Sequence, residues 1–188
     1  MNNIPGLNAG APIPRREETH YVCSNCRANI PNTIVDYYWR DYTGVVPPDA
    51  IIGGNDINGR PTYIGQGFYS KAGLLPGTIY PGKSEIKLPY NGLVLSTIGV
   101  KILCSGNPNN FSWERAESTS LHVTTIGKHL VIGGFEDGKY INIGRAMYQG
   151  ELIVGKVLGF DPEKARLCFI HEEKEIVVNS YQILVYNN

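Results

Sequence analysis

The 188-residue chain has no excess of either charge and no long apolar run. Its 17 basic and 17 acidic residues cancel, so no general attraction to nucleic acid or anionic lipid is expected, and neither partner is predicted. No stretch approaches the roughly 18 consecutive apolar residues of a transmembrane segment. The first residues lack the apolar core of a signal peptide. The predicted location is therefore cytoplasmic, with vesicle association or release without a signal peptide left open.

Cysteine is also scarce. Four cysteines are too few and too scattered for a disulfide framework, so free thiols are expected. Cys23 and Cys26 form a CxxC motif shortly after His20, a spacing found in zinc sites, but a structural zinc site needs four ligands. Cys104 and Cys168 fall in apolar, strand-like sequence and are not spaced to complete it. We predict no metal and no cofactor, and the role of the CxxC pair stays open.

Helical patterns are missing as well, because no 3.6-residue apolar periodicity persists for three turns. The 22 glycines, 12 prolines and 12 tyrosines are typical of many turns and aromatic-rich strands. The predicted fold class is all-β.

What the chain does contain is a repeat of itself. Residues of the first half recur 78 to 80 positions later: Gly53-Gly54, Gly59, Ile64-Gly65, Tyr69 and Gly77 are matched by Gly133-Gly134, Gly138, Ile143-Gly144, Tyr148 and Gly155. Each copy has four or five strand-like runs separated by Gly, Asn or Pro turns. Two tandem repeats related by a pseudo-two-fold axis are predicted, each burying its apolar face against the other.

The repeats also set the predicted domain boundaries. Trp39 stands 14 residues before its Gly-Gly pair and Trp113 stands 20 before the second, which indicates an insertion between about 105 and 130. A strand rich in β-branched and aromatic residues is predicted over 33–39. The chain is thus divided into a flexible arm (1–19), an extension with the CxxC motif and a lead-in strand (20–52), repeat 1 (53–112) and repeat 2 (113–188).

Two motifs that suggest enzymatic chemistry are rejected on their context. Residues Gly77 to Ser84 fit the phosphate-loop pattern GxxxxGK[ST], but the following residues alternate like a strand, whereas that loop must lead into a helix. An enzyme using this loop would bind nucleotide through Lys83. His171-Glu172-Glu173 lacks the second histidine of a zinc protease and is interpreted as surface charge. No catalytic centre is found, and the chain is predicted not to be an enzyme.

Polar side chains do recur at the glycine turns. Asp56 in repeat 1 and Glu136-Asp137 in repeat 2 lie in the turn before the first strand of each copy, while Lys156, with Lys83 as a looser counterpart, follows the second strand. A carboxylate and an ammonium brought together can bind vicinal hydroxyls of a sugar. The alternative is that acidic and amide side chains simply favour turns.

Several segments together resemble the DM-nine repeat family over about residues 39–188. They are Trp39-Arg-Asp-Tyr, Asp56-Ile-Asn-Gly59, Tyr140-Ile-Asn-Ile-Gly-Arg-Ala146, Gly150-Glu-Leu-Ile-Val-Gly-Lys156 and Tyr181-Gln-Ile-Leu-Val-Tyr186. The resemblance implies intertwined antiparallel sheets forming one compact unit, homodimerisation, and a mannose-binding lectin that recognises microbial glycans in innate immunity.

The resemblance also implies a site, an aspartate after the Gly-Gly pair and a lysine after the second strand of the same repeat. Asp56 matches the aspartate, but the lysine position falls on Thr78, which leaves Lys83 as the substitute. Repeat 2 keeps Lys156 and offers Glu136 and Asp137. Sugar binding is therefore predicted at these five charged residues. The alternative function is an intracellular or vesicle-associated, stress- or infection-responsive interaction protein that has lost sugar binding.

Overall fold

The computed structural model describes residues 35–162 and 165–187. These residues belong to a compact unit that begins at Asp36. The predicted arm, the CxxC motif and the first part of the predicted lead-in strand lie outside the described residues.

The regular secondary structure of the described residues is almost entirely β-strand. Those before and within repeat 1 are β1 (Tyr37–Asp41), β2 (Ile52–Asn55), β3 (Pro61–Tyr69), β4 (Gly73–Ile79), β5 (Ile86–Pro89), β6 (Leu93–Ser96) and β7 (Lys101–Ser105). A 3-10 helix (Pro108–Asn110) leads to β8 (Phe111–Glu117), α1 (Leu121–Thr124), β9 (His129–Leu130), β10 (Ile132–Glu136), β11 (Lys139–Tyr148), β12 (Glu151–Val157), β13 (Leu167–His171), β14 (Lys174–Val178) and β15 (Ser180–Tyr186). The all-β prediction is confirmed.

Six strands close into a ring, three from each repeat, and the edge strands of the two repeats pair with each other to close it. Within each repeat, β2, β3 and β4 pair in order, as do β10, β11 and β12. Between repeats, β4 pairs with β10 through Leu74 and Phe135, and β12 pairs with β2 through Leu152 and Asn55. All these pairings are antiparallel. The predicted intertwining and pseudo-two-fold relation are confirmed.

The recurring Gly-Gly pair allows the edge strands of the two repeats to approach closely enough to pair. A Cβ placed on Gly54 would lie 1.8 Å from the carbonyl oxygen of Leu152, and one on Gly134 would lie 2.0 Å from that of Leu74. Strands cross so closely at these two equivalent points that only glycine fits.

Two side chains then tie the repeats together at equivalent positions. Gln66 on β3 donates from Nε2 to the carbonyl of Gly133 at 2.8 Å, and Arg145 on β11 donates from a terminal nitrogen to the carbonyl of Gly53 at 2.9 Å. Arg145 also lies over the ring of Trp113, 4.1 Å from its centroid. Burial lowers the pKa of Arg145 to about 10. Each repeat thus supplies a hydrogen-bond donor to the carbonyl of the first glycine in the other repeat's Gly-Gly pair.

The hydrophobic core between the repeats is itself symmetric. Ile51, Ile64 and Leu103 from the first half pack in one cluster with their counterparts Val131, Ile143 and Leu184. Five of these six side chains are fully buried, and burying one such side chain contributes about 1.5–3 kcal/mol. This cluster draws on both repeats and joins the separate cores that each repeat also has.

Three local predictions can be compared with the structure. The insertion lies between β8 and β9 and contains α1, whose Leu121 is buried in the repeat 2 core. The phosphate-loop match is rejected as predicted, because residues 80–85 form a turn between β4 and β5. In the part of the chain that the structure describes, no helix has the length and apolar character to cross a bilayer.

Candidate functional site

The ends of β10, β12 and β5 meet at one side of the ring. Glu136 Oε1 accepts a hydrogen bond from Lys156 Nζ at 2.7 Å, and the two side chains are 10% and 4% exposed. The Lys156 ammonium also lies 5.3 Å from the centroid of the Tyr90 ring. We call these three residues the second half-site. It is built from both repeats, because Tyr90 belongs to the β5–β6 hairpin of repeat 1.

Only one of the two carboxylate oxygens of Glu136 has a hydrogen-bond donor among the described residues. Burial raises the pKa of Glu136, while the hydrogen bond and charge of Lys156 act in the opposite direction. Glu136 Oε2 is buried and has no hydrogen-bond partner among the described residues. A buried carboxylate oxygen without a donor costs free energy, which a ligand hydroxyl would recover if the side chains over the half-site moved to admit it.

The rim of the second half-site carries further acidic groups. Asp137 is exposed at the β10–β11 turn, with φ of 49°, and its Oδ1 lies 3.5 Å from the hydroxyl of Tyr90. Glu175 on β14 accepts a hydrogen bond from the backbone N–H of Gly92 at 2.5 Å. This bond attaches the turn of the β5–β6 hairpin to repeat 2 and so positions Tyr90.

The pseudo-two-fold axis relates these residues to Asp56, Thr78 and His171, which we call the first half-site. Asp56 Oδ1 accepts from the backbone N–H groups of Asn58 and Arg60 at 2.9 and 2.8 Å. Its carboxylate therefore caps its own turn. Thr78 Oγ1 donates to the Val154 carbonyl at 3.0 Å and accepts from the Val154 N–H at 2.9 Å. The first half-site thus has neither a lysine nor an acid–ammonium pair.

A cleft of about 750 Å³ opens at the first half-site. Glu151, at the start of β12, accepts from the Ile57 N–H at 3.1 Å, and its Oε2 lies 3.8 Å from His171 Nε2. Burial first, and then the charges of Glu151 and Asp56, raise the pKa of Tyr80 to about 12. The Tyr80 hydroxyl is therefore a neutral donor at physiological pH.

The predicted site residues are distributed unequally over the two half-sites. Glu136 and Lys156 come together, with Asp137 at their rim. Asp56 caps its turn, and Lys83 is exposed on the wall of the first half-site cleft.

Sequence reasoning missed Tyr80, Tyr90, Glu151 and His171. The interpretation of His171 as surface charge is wrong, because its side chain is 11% exposed and faces Glu151. Glu172 and Glu173 are exposed. The missed signal is the repeat itself, since His171 lies 81 positions after Tyr90 and matches it in the second copy.

Comparison with known proteins bears on the fold and the family. The DM9 repeat model matches residues 30–97 and 68–160. The chain belongs to the DM9 repeat family. Among solved structures, this DM9 repeat chain is similar to the crystal structure of the nematode sperm cell motility protein MFP2B, with a TM-score of 0.57 and 17% identity over 88% of this chain and 51% of that one. The DM9 chain spans about half the length of that structure, and the likeness shows a shared fold. A search of curated proteins gave no match.

Proposed function

We propose that this DM9 repeat protein is a non-enzymatic carbohydrate-binding protein that recognises mannose-type glycans at the second half-site. The observation that carries the proposal is the buried Glu136–Lys156 pair with one carboxylate oxygen left without a donor. Glu136 Oε2 would accept a hydrogen bond from one sugar hydroxyl, and the Lys156 ammonium would donate to its neighbour. Asp137 and the Tyr90 ring would contact the sugar at the rim.

The proposed biological role is pattern recognition of microbial glycans from a cytoplasmic, vesicle-associated or unconventionally released protein. A small polar site of this kind binds one sugar weakly, at about millimolar Kd. Homodimerisation would place two copies of the second half-site on one particle, and simultaneous engagement of a glycan surface raises the apparent affinity without new contacts.

Calorimetric titration with mannose tests the proposal. The unmodified protein is expected to bind at about millimolar Kd, and Glu136→Gln and Lys156→Gln are each expected to weaken binding at least about tenfold. Glu136→Gln preserves the shape of the side chain, so lost affinity reports on the carboxylate charge. Circular dichroism and urea unfolding establish that each variant is folded before it is titrated.

Asp56→Ala is the matched control, because it removes the equivalent acid from the first half-site. It is expected to leave mannose affinity within about twofold of the unmodified protein. A flat titration of the folded unmodified protein, or affinity that depends on Asp56 and not on Lys156, would refute this assignment.

A second candidate is an interaction protein that has kept the fold and lost sugar binding. It is favoured by an apolar row on the outside of the ring, in which Phe68, Leu74, Phe135 and Tyr140 are successive register partners on four strands. Phe68, Phe135 and Tyr140 are 42%, 41% and 65% exposed. The equivalent row in the other half is Met147, Leu152, Asn55 and Pro61, which has no aromatic residue. Contiguous exposed apolar side chains are typical of protein interfaces.

The second candidate predicts a protein partner that mannose does not displace. Phe135→Ser, which removes the centre of the row, is expected to release that partner, whereas Met147→Ser at the equivalent face is expected to have no effect. Loss of the partner on addition of free mannose would exclude this candidate and favour the lectin.

A further inference from the structure

The first half-site cleft has lost a cation and gained a carboxylate relative to the second half-site. Thr78 occupies the position equivalent to Lys156, and its hydroxyl is occupied by the backbone of Val154. Glu151 occupies the position equivalent to Gly73, which has no side chain. The two changes leave a carboxylate, 16% exposed, in a cleft into which the described residues place no buried ammonium.

The chain contacts Glu151 at both carboxylate oxygens. Oε1 accepts a hydrogen bond from the Ile57 N–H at 3.1 Å, and Oε2 lies 3.8 Å from His171 Nε2. The raised pKa of Tyr80 arises in part from the charges of Glu151 and Asp56. The same negative potential that disfavours a phenolate at Tyr80 favours a cation in the cleft.

We propose that the first half-site cleft binds a saccharide carrying a primary amine, such as a 2-amino-2-deoxyhexose, with its ammonium paired to Glu151. The ligand would then supply the cation that Lys156 supplies at the second half-site. A charge-assisted hydrogen bond to a held carboxylate is stronger than one between neutral groups.

The remaining lining of the cleft fits a sugar of this kind. A volume of about 750 Å³ is within the range of small-molecule sites and is ample for one or two rings. Val154 and Ile170 provide an apolar wall for the C–H face of the ring, and Gln149 lies among the polar groups available to its hydroxyls.

Two lysines on the same lining do not oppose an ammonium. Lys83 and Lys87 are exposed, and Glu85 and Glu172 line the same cleft. Charges exposed to water are screened, whereas the partly buried Glu151 carboxylate acts at closer range and lower effective dielectric. The electrostatic interaction with Glu151 is therefore expected to dominate for an ammonium placed beside it.

This inference rests on the proposed function only in taking a saccharide as the ligand, and a different half-site tests it. Calorimetric titration near neutral pH compares D-glucosamine with N-acetyl-D-glucosamine, which keeps the ring and removes the charge. The unmodified protein is expected to bind glucosamine at least about tenfold more tightly. Because this comparison needs no variant, equal binding of the two sugars, or no binding of glucosamine, overturns the proposal.

Two variants then test whether glucosamine binds in the first half-site cleft. Glu151→Gln is expected to weaken glucosamine binding at least about tenfold, and Thr78→Lys is expected to abolish it by supplying the ammonium from the chain. Lys156→Gln is the control, expected to lose mannose and keep glucosamine. Glucosamine affinity retained in folded Glu151→Gln, or lost in Lys156→Gln that circular dichroism shows to be folded, overturns the assignment to this cleft. If the unmodified protein binds glucosamine and does not bind mannose, the proposed lectin site is refuted and the amino-sugar site is not.

Discussion

Gly54→Ala is expected to destabilise the folded chain by about 3 kcal/mol or more. The added Cβ would lie 1.8 Å from the Leu152 carbonyl oxygen, and the obstacle is backbone rather than a flexible side chain. β2 and β12 would have to separate, and the ring would open at this pairing between the two repeats. Urea unfolding followed by circular dichroism measures the effect. Gly134→Ala is expected to cost a similar amount, because its Cβ would lie 2.0 Å from the Leu74 carbonyl oxygen.

Gly106→Ala is the matched control for the glycine series. A Cβ at Gly106 meets no atom within 4 Å, so its cost is expected to stay within about 0.5 kcal/mol. If Gly54→Ala proved as stable as Gly106→Ala, the close crossing of β2 and β12 would be wrong, and with it the proposed reason for the repeated Gly-Gly pair.

Lys156→Met is expected to destabilise the protein by about 3–5 kcal/mol at neutral pH, because it leaves the Glu136 carboxylate buried without its cation. The two side chains are 4% and 10% exposed, so water would hydrate the unpaired carboxylate only poorly. The double variant Glu136→Leu/Lys156→Met removes both charges and is expected to recover most of the loss. A single variant as stable as the unmodified protein would show that the pair is not formed.

The loss of unfolding free energy caused by Lys156→Met is also expected to become smaller at acidic pH. Burial raises the pKa of Glu136, and removing Lys156 removes the largest influence that lowers it. A carboxyl whose pKa is higher in the folded state binds more protons folded than unfolded, so stability falls as pH rises through the interval between the two pKa values. Lowering the pH through that interval therefore restores stability to the single variant and not to the double variant. Urea titrations at about pH 7 and about pH 5 compare the two.

The sequence predicted the fold class, the repeat and its symmetry, because glycine and apolar positions recur at a nearly fixed offset. The β10–β11 turn, with Asp137 and Gly138 both at positive φ, is readable from the Asp-Gly pair alone. The pairing partner of each strand could not be predicted in the same way, because the local sequence of β2 does not indicate that it pairs with β12 of the other repeat. That pairing is a long-range packing outcome, and its only local sign is a glycine where a strand would favour a side chain.

The residues of the candidate site were predictable only in part. Glu136 and Lys156 stood out because opposite charges recur at the repeat turns, but Asp56 looked equally suitable and is instead occupied by the N–H groups of its own turn. Tyr90 and His171 were missed because each reaches its half-site from the hairpin of the other repeat. Comparing the two copies position by position, rather than searching each for motifs, would have paired Tyr90 with His171.

The central claim is that the two half-sites share a fold and differ in ligand chemistry. A crystal soaked in mannose tests it most directly. The account predicts one sugar per chain, with hydroxyls on Glu136 Oε2 and Lys156 Nζ, and no mannose against Asp56 and Thr78. Mannose bound at Asp56, or a second half-site whose Glu136–Lys156 pair stays closed to sugar at saturating concentration, would contradict it.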